Sequence, residues 1–155
     1  MYNSKSTSRK TCWNKGKLVG QKLPLKLEEI WSIRIRLELA NNLRELTMFN
    51  LALDCKLRAC DFIKLKVLDI AHGATIQSRA MLIQEWIAQK TLTSGDYLFG
   101  SRVKKDFHLT TRQYARIVKK WISSIGLDLT LYGTHTMRRT KASLIYKKTK
   151  NLHID

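Results

Sequence analysis

Acidic residues are scarce in this sequence of 155 residues, which contains 12 Asp and Glu against 29 Lys and Arg. No pair of carboxylates is spaced for acid–base catalysis, and the net charge is +17. A charge of this size exceeds what solubility requires, and its self-repulsion is usually offset by a polyanionic partner. Nucleic acid is therefore the first candidate for a partner.

Cysteine is also rare, with Cys12, Cys55 and Cys60 as the only three. An odd number without metal spacing to a histidine excludes a disulfide framework and disfavours a zinc site. We expect no metal or other cofactor, and we interpret Cys55 and Cys60 as buried or half-buried thiols.

Long apolar runs are missing, because no stretch approaches the roughly 18 residues of a membrane-spanning helix. The N-terminus has no basic region followed by a clean apolar core of a signal peptide. P-loop glycines and a G-x-S-x-G motif are absent as well. We therefore expect no membrane partner and a soluble, intracellular chain, and its hydrophobic content of 44% fits one domain.

The one proline, Pro24, lies in a basic N-terminal region. Residues 1–26 contain seven Lys and Arg and no acidic residue. This composition predicts a flexible basic arm or linker, followed by one domain over residues 27–155. A disordered solubilising tail and an arm that tracks phosphates remain equal alternatives for the arm.

The segment after Pro24 can be interpreted as a helix or as a strand. Alternation in IRIRLEL is typical of a strand, but Glu28 and Glu29 favour a helix N-terminus. We predict a helix, supported by a row at helical spacing that consists of Leu27, Trp31, Ile35 and Leu39.

Further helices are predicted over residues 42–56, 58–66 and 79–88. Between them, KVLDIAHGATIQ carries β-branched residues on both sides of a His-Gly turn, which predicts a short β-hairpin at about Val67 to Gln77. The expected fold is thus mainly α with a small β-hairpin or sheet, an α+β fold.

Two helices are predicted in the C-terminal part. One opens with a capping box at Thr110 and Gln113 and closes at Gly126. Its apolar stripe consists of Tyr114, Ile117, Val118, Trp121, Ile122 and Ile125. The other begins near Thr134 and continues to about Tyr146 or beyond.

Within the last helix, His135 and Arg138 are three residues apart and share one face, with Arg139 within reach. A guanidinium offers bidentate hydrogen bonds to a phosphate, and an imidazole can donate to it or accept a proton. A solvated basic helix explains the same pattern. Upstream, Arg58 precedes Asp61 by three residues, and an acid so placed can orient a guanidinium.

These motifs resemble the catalytic domain of the tyrosine recombinases, the phage-type integrase family. LALDCKLRACDFIKLKVLDI resembles the family's arginine motif, with Arg58 as the arginine and Asp61 as the acidic residue that follows it. YGTHTMRRTKASLIY resembles the H-x-x-R motif and supplies His135 and Arg138. GDYLFGSR and the helix after Thr110 are similar to what precedes that motif, so the resemblance runs from Leu27 to the last residue.

The resemblance implies a mechanism and a partner. In the family, a tyrosine hydroxyl attacks a DNA phosphodiester, forms a 3′-phosphotyrosyl link and frees a 5′-hydroxyl. Two arginines and a histidine stabilise the charge on phosphorus, a role worth about 2.7–4 kcal/mol per donor in comparable sites. A lysine on a β-hairpin is the general acid, and no metal takes part. The site residues that the resemblance implies here are Arg58, His135 and Arg138. It also implies double-stranded DNA as the partner and a cytoplasmic, nucleoid-associated location in bacteria. Homo-oligomerisation on DNA is left open.

The chain also departs from the family. It ends at Asp155, 17 residues beyond Arg138, before the family's tyrosine nucleophile and the Gly-His pair that precedes it. Tyr146 lies two helical turns, about 12 Å, from Arg138, so we interpret it as a packing residue. The lysine-bearing hairpin turn is missing too, and Lys90 is not assigned its role.

We therefore expect a truncated recombinase-family protein that is inactive alone and holds DNA with Arg58, His135 and Arg138. A decayed or misread integrase gene and a deliberate short form would both give such a chain. The alternative function is that of a non-catalytic basic nucleic-acid-binding protein without a recombinase role. RNA binding has less support, since aromatic-rich ribonucleoprotein motifs are absent.

Overall fold

The computed structural model describes residues 20–71, 80–104 and 106–150. In these ranges the chain forms seven helices around one hydrophobic core. They are α1 (Leu27–Leu39), α2 (Leu43–Asp54), α3 (Ala59–Phe62), α4 (Val67–Ala71), α5 (Ala80–Lys90), α6 (Thr111–Ser124) and α7 (Thr134–Thr149). The third predicted helix is shorter than expected, since α3 has only four residues.

Helix α1 confirms the helical interpretation of the segment after Pro24. The Lys26 N–H donates to the Glu29 carboxylate at 2.7 Å, which is the acidic helix start that the sequence indicated. The buried face, however, is formed by Ile30, Ile33 and Leu37. The α1 apolar row (Leu27, Trp31, Ile35 and Leu39) is exposed.

Helix α2 lies at the centre of the fold and packs against α1, α5 and α7. Every residue from Glu45 to Leu53 is buried, including the carboxylate of Glu45. That carboxylate accepts hydrogen bonds from the Trp121 indole at 2.9 Å and from Lys120 at 3.2 Å. Phe49 meets the Trp121 ring edge-on, with centroids 5.2 Å apart, so α2 and α6 are joined by both polar and aromatic contacts.

Helix α6 forms as predicted. The Thr110 hydroxyl accepts the Gln113 N–H at 3.1 Å, and the Gln113 side chain accepts the Thr110 N–H at 2.9 Å. The core side of the helix is made by Tyr114, Val118, Trp121 and Ile122. Gly126 ends it with φ of +78°, a conformation that favours glycine.

The predicted β-hairpin at Val67 to Gln77 is wrong where the structure describes it, because residues 67–71 form helix α4. The Asp69 carboxylate accepts the Lys66 N–H at 2.8 Å, and the Val67 N–H donates to the Asp96 carbonyl at 3.0 Å. These bonds satisfy the first turn of a helix and outweigh the β-branched composition. Residues 72–79 lie outside the described part. The described ranges contain no strand, only isolated bridges between residues 66 and 97 and residues 100 and 108.

Residues 20–25, which we call the N-terminal strap, run along the start of α7. The Leu23 N–H donates to the Leu131 carbonyl at 2.9 Å, and the Leu25 N–H donates to the Thr140 hydroxyl at 3.0 Å. The Leu25 side chain is buried in the core. The strap is thus part of the predicted basic arm of residues 1–26. Residues 1–19 lie outside the described part, and the division at residue 26 stays a prediction.

None of the helices in the described ranges is long and apolar enough to cross a membrane. Of the cysteines, Cys55 is half-buried and Cys60 is exposed, while Cys12 lies outside the described residues. Burial raises the pKa of the Cys55 thiol. The expectation of buried or half-buried thiols is therefore correct for Cys55 and wrong for Cys60.

Candidate phosphate-binding site

His135 and Arg138 lie in the first two turns of α7, which begins after Gly133. The Gly133 N–H donates to the Thr136 hydroxyl at 3.0 Å and so anchors the start of the helix. Thr136 and Met137 point into the core, whereas His135 and Arg138 are exposed. The helix therefore presents the two motif residues to solvent from a buried and fixed support.

An open cleft of about 620 Å³ lies over this face of α7. We call it the basic cleft, and its lining is Gly20, Gln21, Lys22, Lys56, His135, Arg138, Arg139 and Ala142. Its walls come from the strap, the end of α2 and α7, and among the described residues that line it none is acidic. A ring of cationic side chains without a carboxylate is suited to an anionic ligand.

The wall between α2 and α7 is held by an ion pair. Lys141 approaches the Asp54 carboxylate at 3.4 Å and also donates to the Asp54 backbone carbonyl at 3.3 Å. Both side chains are partly shielded from water. This pair ties the end of α2 to α7 close to the residues that line the basic cleft.

Arg58 is placed differently from the other two predicted site residues. It is the residue that precedes α3, it is exposed, and it is not among the residues that line the basic cleft. The Asp61 N–H donates to the Arg58 carbonyl at 3.0 Å, and the Asp61 side chain is exposed as well. The structure thus brings His135 and Arg138 together, while the role of Arg58 stays a prediction.

Arg139 and Lys56 also line the basic cleft, although the sequence did not assign either of them to the site. Arg139, which the sequence places within reach of the His135 and Arg138 face, donates to the Lys22 carbonyl at 2.7 Å and holds the strap against α7. Lys56 enters the basic cleft from the end of α2, two residues before Arg58. Its position inside the arginine motif, two residues before Arg58, was the available signal for Lys56, whereas nothing in the sequence paired Arg139 with the strap.

None of the described tyrosines lines the basic cleft. Tyr114 and Tyr132 are buried, and burial raises the pKa of the Tyr114 hydroxyl far above its ordinary value. Tyr97 packs edge-on against His108. Tyr146 is 45% exposed, so its interpretation as a packing residue is wrong, but it does not line the basic cleft.

Metal ligands are not grouped in the described part of the chain: no three His, Cys, Asp or Glu side chains there could hold a metal ion. Among the described residues that line the basic cleft, His135 is the one of these four types.

Comparison with known proteins gives similarities in sequence and in fold. No protein-family model matches the chain. The probable integrase/recombinase YoeC of Bacillus subtilis (strain 168) is 29% identical over 141 residues, which cover 81% of this chain and 75% of that protein.

Two solved structures of the XerH site-specific recombinase have a similar fold. The pre-cleavage complex with its difH substrate gives a TM-score of 0.65 at 21% identity over 84% of this chain. The post-cleavage complex with a palindromic difH substrate gives 0.67 at 19% identity over 85% of this chain. This chain spans 45% and 44% of the lengths of those XerH chains.

The helical arrangement is thus similar to that of the two XerH structures. In sequence the chain is similar to YoeC, a probable integrase/recombinase, and in fold it is similar to part of the XerH recombinase chains.

Proposed function

We propose that this chain is a DNA-binding protein of the recombinase family that holds a backbone phosphate of duplex DNA in the basic cleft. The observation that carries the proposal is the lining of the cleft, which combines His135 and Arg138 with further cations and contains no carboxylate among its described residues. Duplex DNA carries one charge per about 1.7 Å and is the polyanion that the net charge of +17 fits.

The chemistry of phosphate binding follows from the side chains. The Arg138 guanidinium can donate two parallel hydrogen bonds to the phosphoryl oxygens, and the His135 imidazole can donate a third. Arg58, which lies two residues beyond Lys56, would approach the same strand from outside the cleft. Each charge-assisted hydrogen bond is worth about 1.5–3 kcal/mol, so this set accounts for a specific site within a generally basic surface.

We further propose that the polypeptide binds DNA without cleaving it alone. The support is the position of its tyrosines, since none of the four in the described ranges lines the basic cleft. A nucleophile must come within about 3–3.5 Å of the phosphorus to react. We therefore propose that the chain binds DNA at the chromosome in the bacterial cytoplasm. This role does not depend on whether several copies assemble on the DNA.

The test is the affinity of the chain for fluorescently labelled duplex DNA, measured by anisotropy over a series of salt concentrations. Arg138→Ala should weaken binding about tenfold and reduce the slope of log K against log salt by about 1. Arg116→Ala is the matched control, because Arg116 is an exposed helical arginine outside the cleft. An equal loss of DNA affinity in the two variants would show that binding depends only on general positive charge and not on a site in the cleft.

Two further measurements separate the alternatives. A nicked suicide duplex should trap no covalent adduct, and an adduct would show that the chain retains the family's cleavage chemistry. Competition between duplex DNA and single-stranded RNA should favour DNA. Preference for RNA would instead support a basic nucleic-acid-binding protein outside recombination.

A further inference from the structure

Lys56 has an unusual backbone conformation at the edge of the basic cleft. It follows Cys55, the residue that ends α2, and its φ is +51°. Residues other than glycine, asparagine and aspartate seldom adopt this left-handed conformation, because Cβ then crowds the carbonyl oxygen. Lys150 has the same conformation at the end of α7, with φ of +53°, so this backbone conformation alone does not indicate a function and the inference rests on what surrounds Lys56.

The surroundings of Lys56 point to an anionic ligand. Its neighbours in the lining include His135 and Arg138, both exposed. The closest acidic residue before it in the sequence, Asp54, accepts Lys141 on α7. Lys56 is exposed, so its ammonium can reach a ligand on a flexible four-carbon stem.

We propose that Lys56 is a phosphate-binding residue of the basic cleft and contacts the DNA backbone beside the phosphate held by His135 and Arg138. This inference rests on the proposed function of the cleft. The lysine ammonium acts as a point charge, which tolerates different phosphate positions, whereas the Arg138 guanidinium fixes one geometry. Lys56 therefore adds affinity and salt dependence to the site.

The test uses variants that keep the left-handed turn. Lys56→Asn removes the charge with a residue that tolerates this conformation, and Lys56→Gly removes the charge and the crowding together. Lys150→Asn is the matched control, because Lys150 has φ of +53° at the end of α7 and lies outside the cleft lining. Lys56→Arg tests rescue by a second cation.

Binding of duplex DNA is measured by anisotropy at several salt concentrations, with Tm recorded for every variant. We expect Lys56→Asn and Lys56→Gly to weaken binding roughly three- to tenfold and to reduce the salt slope by about 1. Lys56→Gly should lose this affinity with an unchanged or higher Tm, which a purely structural role for the lysine would not produce. Lys56→Arg should bind within about twofold of the original chain, because it retains the charge.

Equal binding by the Lys56→Asn and Lys150→Asn variants would overturn the inference. If Arg138→Ala still weakens binding in that case, the proposed function stands and only the role of Lys56 is lost. If Arg138→Ala has no effect either, the proposed function itself fails.

Discussion

Replacing Glu45 by alanine removes the carboxylate that joins the start of α2 to α6. Glu45 is only 7% exposed, and it accepts the indole N–H of Trp121 at 2.9 Å and the ammonium of Lys120 at 3.2 Å. The hydrogen bond from the buried indole to a charged acceptor is worth about 1.5–3 kcal/mol. The Lys120 side chain is 65% exposed, so that ion pair adds about 0–1 kcal/mol.

We therefore expect Glu45→Ala to lower the free energy of unfolding by about 2–3 kcal/mol, mainly because the Trp121 N–H loses its partner in the core. In a domain of this size, that loss corresponds to a Tm lower by about 5–10 °C. The measurement is urea denaturation followed by tryptophan fluorescence and far-UV circular dichroism, with Tm from a thermal scan.

Lys120→Ala is the control for the exposed half of the interaction and should cost less than about 1 kcal/mol. A double-mutant cycle with Trp121→Phe isolates the indole bond, whose coupling energy should exceed that of the Lys120 pair. A loss for Glu45→Ala no larger than that for Lys120→Ala would refute the reasoning.

Three further predictions follow from the fold. Thr140→Val removes the hydroxyl that accepts the Leu25 N–H of the strap at 3.0 Å. The free energy of unfolding should fall by about 1–3 kcal/mol, and amide hydrogen exchange in the strap should become faster. Unchanged exchange would argue against this contact. Ile33→Ala should lower the free energy of unfolding by about 2–5 kcal/mol, because Ile33 is buried, and Trp31→Ser by less than about 1 kcal/mol, because Trp31 is exposed. A larger loss for Trp31→Ser in urea denaturation would place the core on the other face of α1. Iodoacetamide at pH 8 should label the exposed Cys60 before Cys55, since burial raises the pKa of the Cys55 thiol and leaves less thiolate there. Faster labelling of Cys55 than of Cys60 would contradict the burial of Cys55.

Local sequence signals predicted α6 because its determinants lie within the helix itself. The capping box joins Thr110 to Gln113, and the apolar stripe follows the helical period. Helix α1 was predicted as a helix for the same reason, but its buried face was not. Both of its faces carry large apolar residues, and packing against α2 and α6, which no local pattern encodes, selects the face with Ile33.

Contacts distant in sequence explain what could not be predicted. The conformation of residues 67–71 depends on carbonyls near Asp96, and the burial of Glu45 depends on Trp121, which is 76 residues away. His135 and Arg138 were found because their motif lies within one helix. Lys56 was missed because its place in the cleft arises only when the end of α2 packs against α7.

The N-terminal strap has a thermodynamic consequence for the basic cleft. Its first residues form part of the cleft wall, while Leu25 is buried in the core and Arg139 holds the Lys22 carbonyl. A ligand that binds only when this wall is in place stabilises the docked strap by RT ln(1 + [L]/Kd). By the same linkage, any change that undocks the strap lowers the affinity of the cleft. Binding of DNA in the basic cleft, as proposed, would thus be coupled to docking of the N-terminal strap, and each would stabilise the other.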